Sequence, residues 1–159
     1  MSVNSVQTHV KALLTGLSAP NYNTALAVYV TPPNPGKLPG PAAYVWVTTG
    51  TNSRQTAPRG HGFRKTVWSV SIWLMAPGLA TDVNADTKFA GLIDTVIHAL
   101  VTDTMPIMET DALTGLTYQL LAIGERFTVE QAPVRALNDQ RLLMYEALIN
   151  VTVEEAATP

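Results

Sequence analysis

Val3, Val6, Val10, Leu13, Leu14 and Leu17 recur at the three- and four-residue spacing of one helix face. Ser2 or Asn4 can cap the start, and Gly16 with Pro20 marks the end, which predicts a first helix over about 3–16. Ala25 to Val30, ALAVYV, is a short β-type run. From Thr31 to Pro41 five of eleven residues are proline, a composition that neither a helix interior nor a central strand accepts, so an extended loop is expected at about 31–41. Ala43 to Thr48 reads as a second strand. Thr66 to Met75 gives the clearest one, with Trp68, Val70, Ile72 and Leu74 on one face and Ser69 and Ser71 on the other. Between these two, residues 49–63 are expected to form a second extended loop, of a length that in a compact domain usually carries function.

Beyond Pro77-Gly78, the residues Phe89, Leu92, Ile93, Val96, Ile97, Leu100 and Val101 follow the helical period, with Asp82 or Asn84 placed as caps. A helix is predicted over about 83–102, with a wide apolar stripe. Thr117 to Ile123, continued past Gly124 to Val129, gives a fourth strand bent or bulged at the glycine. Leu143, Tyr145, Ala147, Ile149, Val151 and Val153 alternate along a fifth. The order α-β-β-β-α-β-β predicts an α+β fold over residues 1–159 as one domain: a mainly antiparallel sheet of about five strands with two helices packed on one face.

Composition adds a reason to expect partners. Hydrophobic residues make up 47% of the 159 positions and charged residues 14%. That is apolar for a chain whose longest apolar runs, such as SIWLMA at 71–76, fall far short of the roughly 20 residues a membrane helix needs. Part of the surface is therefore expected to meet another protein, and no membrane is expected as a partner. The opening MSVNSVQTHVKALLTGL has no basic leader and no small-residue cleavage pattern, so no signal peptide is expected. The absence of cysteine excludes disulfides and thiolate metal sites and fits a reducing compartment.

The net charge of −2 conceals an asymmetry. Residues 1–81 carry Lys11, Lys37, Arg54, Arg59, Arg64 and Lys65 and no acid, while residues 82–159 carry four bases and twelve acids. The halves are thus +6 and −8. Such a division suits either an anionic partner such as DNA or complementary faces that meet between copies of one chain. Four of the six bases fall within SRQTAPRGHGFRK, residues 53–65, which contains no acid. The candidate basic interaction element is Arg54, Arg59, His61, Arg64 and Lys65. The candidate acidic face is Glu125, Glu130, Asp139, Glu146, Glu154 and Glu155, expected at solvent-facing or terminal positions of the last strands.

Catalytic chemistry has little to build on. His9, His61 and His98 lie in no ligand spacing, so neither metal nor cofactor is expected. Asp94 and His98 stand at i, i+4 with no nucleophile elbow nearby and read as a solvated pair. Gly60-His61-Gly62 leads into a strand and not a helix, and it lacks the Lys-Ser/Thr ending of a phosphate loop. Trp46, Trp68, Trp73, Tyr29, Tyr44 and Phe63 all lie in the basic half. They could stack on bases, but strand aromatics more often serve a core or an interface.

The order of elements, with the helix VNSVQTHVKALLTGL, the strand TVWSVSIWLMA beside a long basic loop, the helix ADTKFAGLIDTVIHALV and the closing pair LTYQLLAIGERFTVEQAPV and RLLMYEALINVTVEE, resembles the tail terminator proteins of long-tailed bacteriophages. The likeness runs over nearly the whole chain. It implies a non-enzymatic virion protein that caps the tail tube as a ring, usually a homohexamer. Tail-tube protein would meet one face and the head-side connector the other, with transient contact to genomic DNA in the lumen. It also implies a place at the head-proximal end of the tail, reached from the host cytoplasm during assembly. Another head–tail connector or tail-tube subunit, or a nucleic-acid-binding module built on the basic half, are the alternatives.

Overall fold

The alternation from Trp68 to Leu74 belongs to a strand longer than the pattern alone marks out, because its neighbours pair with it on both sides. The computed structural model describes residues 3–19, 22–55, 63–79, 81–102, 107–110, 117–137 and 142–158. In chain order the elements are α1 (Val3–Leu14), β1 (Ala27–Tyr29), β2 (Ala42–Gln55), β3 (Phe63–Leu79), α2 (Ala85–Val101), β4 (Ile107–Thr110), β5 (Thr117–Gln131), β6 (Arg135–Leu137) and β7 (Leu142–Thr158). The sheet runs β1-β2-β3-β7-β5-β4, with β6 also on β7. All its pairings are antiparallel except β1 with β2.

The α+β class read from the sequence stands, with a mixed sheet. The parallel pair follows from the proline-rich segment. Residues 30–41 act as the crossover that a parallel connection requires, and the Ala27 N–H donates back to the Pro41 carbonyl at 3.1 Å. One 3-10 turn, Pro35–Lys37, interrupts the segment, and Asn34 Oδ1 caps it by accepting from Gly36 N at 3.0 Å.

The second expected loop is corrected. Residues 49–55 are not loop but the outer half of β2, paired from Thr49↔Ser69 to Gln55↔Phe63, with a bulge between Val47 and Thr49. Residues 56–62 lie outside the described residues. The polar run TTGTNSRQ carries no strand pattern of its own. It is held by a β3 that β7 already pairs from the other side, from Arg64↔Ala157 to Leu79↔Leu142. Glycine is required within this run at Gly50, since a Cβ there would stand 2.6 Å from the Trp68 ring that covers it.

Strand parity separates two faces. Val45, Val70, Ile72, Leu74, Ala147, Ile149 and Val151 are buried on one. They pack beneath Val6, Val10 and Leu14 of α1 and Phe89, Leu92, Val96 and Leu100 of α2. Both helices thus cover one face, as the sequence implies. The expected ends hold within two residues: Gly16 takes φ +82, the left-handed conformation that glycine adopts freely after a helix, and Asn84 stands at the N-cap position of α2 without a side-chain hydrogen bond. Asp82 supports that start, accepting from Asn84 N at 3.0 Å and pairing with Lys88.

Beside this helix start, Tyr145 packs against Phe89, with ring centroids 5.7 Å apart. Burial, and then the charge and hydrogen bond of Asp86, hold its phenol above the ordinary value. Tyr22 is pushed up to about 12, by burial first and then by Tyr145 and Asp82. A raised phenol keeps its proton in the folded chain after the unfolded chain has released it. Its stabilisation is therefore complete below the ordinary value of 10.0 and is lost as pH rises towards about 12. Tyr22→Phe should flatten that alkaline fall in urea-unfolding midpoints and leave the neutral-pH slope unchanged. An unaltered alkaline limb would place the loss elsewhere.

Candidate assembly surface

Among the described residues neither α1 nor α2 covers the other face of the sheet, and its residues form ordered rows. In one row Tyr44, Trp73, Leu148 and Glu130 are successive register partners across β2, β3, β7 and β5. The first three are partly buried and Glu130 is exposed. In the next, Trp46, Ser71, Asn150 and Thr128 align, and the Ser71 hydroxyl donates to Asn150 Oδ1 at 2.6 Å. Trp46 stacks on Tyr44 along the strand, with centroids 4.8 Å apart and planes inclined by 21°. Tyr29, Tyr44 and Trp73 also pack on a small second cluster of Ala42, Met75 and Met144. The aromatic residues of the basic half are therefore divided: Trp68 joins the main core, while Trp46, Trp73, Tyr44 and Tyr29 dress the open face. Phe63 begins β3.

On the other side of the Tyr44 row stands Glu146, the partner of Met75 in the register. Only 7% of it is exposed, which corrects the expectation of a solvent-facing acid. Arg135 takes the carboxylate with both prongs, Nε to Oε2 at 2.7 Å and Nη2 to Oε1 at 2.9 Å. The cause lies in the chain around Pro133. Gln131 pairs with Ala147 and Arg135 with Met144, so four steps on one strand oppose three on β7. The bulge returns the chain to β7 as β6, two residues along from Glu146 and on its face. The alternation of the last strand cannot reveal this, because the cover comes from a bulge in its neighbour.

The remaining acids scatter. Glu130 is exposed and makes no ion pair among the described residues. Glu154 and Glu155 are register partners of Val67 and Thr66, Glu125 lies within β5, and Asp139 falls outside the described residues. Among the basic residues, Arg54 and Arg64 are direct register partners, and Arg64 and Lys65 also stand opposite Ala157 and Ala156. Glu155 and Glu154 lie two positions along β7 from those alanines. Arg59 and His61 lie outside the described residues. Phe63 lies ten strand positions before Trp73, which puts the start of β3 roughly 30 Å from the aromatic row.

A cleft of about 350 Å³ opens on this face, lined by Trp73, Glu130, Gln131, Ala132, Glu146, Ala147 and Leu148. Its lining combines an indole, a leucine and the Glu130 carboxylate, which forms no ion pair among the described residues. Asp94 and His98 are exposed on α2, away from it. No three His, Cys, Asp or Glu side chains come together among the described residues, and no helix there is long and apolar enough to cross a membrane. The surface can bind by shape, aromatic contact and charge.

No protein-family model and no curated protein matches the chain. Among solved structures it is similar to a chain from the virion of a native gene transfer agent particle, with 15% identity and a TM-score of 0.35 over 91% of this chain and 84% of that one. A likeness at that level fixes neither the fold nor the function.

Proposed function

We propose that the chain is a structural subunit of a phage-type tail that assembles as a homo-oligomeric ring, hexameric in the family it resembles, and caps the tail tube. It would end tube growth on one face and offer a joining surface to the head-side connector on the other, with DNA passing through the lumen. The observation that carries this reading is the one-sided sheet. Helices close one face, while the other keeps Tyr44, Trp46, Trp73 and Leu148 only partly buried. Large aromatic and apolar groups left at a surface are the usual anchors of protein interfaces. The basic stretch at residues 53–65 is a second candidate contact element, with Arg54, Arg59, Arg64 and Lys65 its candidates for tube, connector or DNA. In this role the protein works by surface complementarity, with no bond made or broken.

Negative-stain micrographs and native mass spectra of the purified protein test the proposal. Closed rings of one subunit number, which halt growth when added to polymerising tube protein, are expected. Open filaments would instead make it a tube subunit. A monomer at high concentration, absent from particles, would remove the assembly reading altogether.

A further inference from the structure

The proline-rich segment presents one lysine on a stiff turn. Asn34 closes that turn twice, its Oδ1 accepting from Gly36 N and its carbonyl from Lys37 N, both at 3.0 Å. Pro33, Pro35 and Pro39 fix their own φ angles around it, so little freedom remains to be lost when the turn is bound. Leu38 packs on the cluster of Ala42, Met75 and Met144 and ties the segment to its own sheet, while Lys37 stays exposed. Among the described side chains the bases are Lys11, Lys37, Lys88 and Arg135. Lys88 is held by Asp82 and Arg135 by Glu146, and Lys11 belongs to α1 on the covered side of the sheet. Lys37 is left as the cation for an outside partner.

The open-face cleft has what a lysine needs. Trp73 offers an indole to a cation, Leu148 an apolar contact for its methylenes, and Glu130 a carboxylate for its charge. The other acid of the lining, Glu146, is already bound by Arg135. Turn and cleft stand towards opposite sides of the sheet: the turn's segment joins the edge strand β1 to β2, whereas Glu130 lies on β5, three strands beyond β2 and roughly 14 Å from it. Among the described residues neither Lys37 nor Glu130 forms an ion pair.

We propose that the cleft of Trp73, Leu148 and Glu130 receives the Pro35–Lys37 turn of a second copy of the chain, with Lys37 paired to Glu130 across the interface. This rests on the ring reading and specifies its contact. A donor near one edge of the sheet and an acceptor near the other make the interface heterologous, and such a contact builds a ring where the rotation between copies closes. The opposite charges orient the encounter, and the indole supplies the buried anchor.

The native chain has no cysteine, so single introduced thiols report contacts without background. Lys37→Cys and Glu130→Cys proteins, prepared separately, would be mixed, allowed to assemble and treated with a short bismaleimide. The expected product is a covalent link between one chain of each kind within closed rings, identified by peptide mass spectrometry, with little coupling in either preparation alone. In parallel, Glu130→Lys should weaken ring assembly at least about tenfold. Lys37→Glu on the same chain should restore it. Urea midpoints should stay unchanged throughout, since both side chains are exposed. Native assembly should weaken from about 0.1 M to 1 M salt as the screening length falls from about 10 Å to about 3 Å.

Rings that form without the mixed cross-link would overturn this contact and leave the ring reading standing. So would failure of Lys37→Glu to restore the assembly that Glu130→Lys weakens. A mixed cross-link confined to dimers, or coupling of position 130 to position 130, would mean that open faces pack on each other about a two-fold axis, and the proposal would fail. Absence of any assembly by the native protein would remove both readings.

Discussion

Ile149→Ala is expected to lower the unfolding free energy by about 3–4 kcal/mol, and Leu148→Ala, one residue away, by about 1 kcal/mol or less. Ile149 is fully buried beneath the helices, among Ile72, Leu92 and Val96, and its truncation leaves a cavity that rigid strands on both sides cannot collapse. Leu148 faces the other way, partly exposed, and lines the cleft. Its loss should appear as weaker self-assembly with the fold retained. Urea unfolding of the two variants, with ring yield measured on the same samples, separates the faces. Equal destabilisation by both would mean that the open face is as much core as the covered one.

Arg135→Ala is expected to cost about 2–3 kcal/mol, which is large for an arginine whose side chain is 49% exposed. The loss comes from Glu146, left behind in a nearly buried position with its two hydrogen bonds gone. Removing one partner of a fully buried pair costs about 3–5 kcal/mol, and water's access to the Arg135 side reduces this here. The double variant Arg135→Leu with Glu146→Leu should return most of the stability, because no charge is stranded. Denaturant titrations of Arg135→Leu, Glu146→Leu and the double provide the cycle. A change within about 0.5 kcal/mol for Arg135→Ala would reduce the pair to an ordinary surface contact.

What the chain discloses about itself depends on how locally each feature is determined. Phe89, Leu92, Ile93, Val96 and Leu100 trace a helix stripe that is legible because the helix makes its hydrogen bonds internally, and all five are buried where the period puts them. Trp68 to Leu74 is legible because the two faces of the strand meet different surroundings. Thr49 to Gln55 is not, since its pairing is imposed by β3 and written nowhere in TTGTNSRQ. The short strands β4 and β6 have too few residues to show a period and exist through the partner they lie on. The burial of Glu146 depends on a bulge around Pro133, thirteen residues upstream. Glu130 can be chosen from the sequence as an exposed acid, but its alignment with Trp73 and Leu148 appears only when three strands are in register.

The strand at the centre of this sheet is also the one furthest along the chain. β7 separates β3 from β5, and its partners on the β3 side lie some 60 to 90 residues earlier, from Leu79↔Leu142 to Arg64↔Ala157. During synthesis, β3 and β5 must wait with one side unpaired until residues 142–158 have left the ribosome, so folding is a late event that closes long loops and is slow for that reason. In the interval the chain exposes two apolar strand edges and invites mispairing with its neighbours on a polysome. The yield of folded protein should therefore respond to chaperone supply and growth temperature more strongly than to changes on its finished surface.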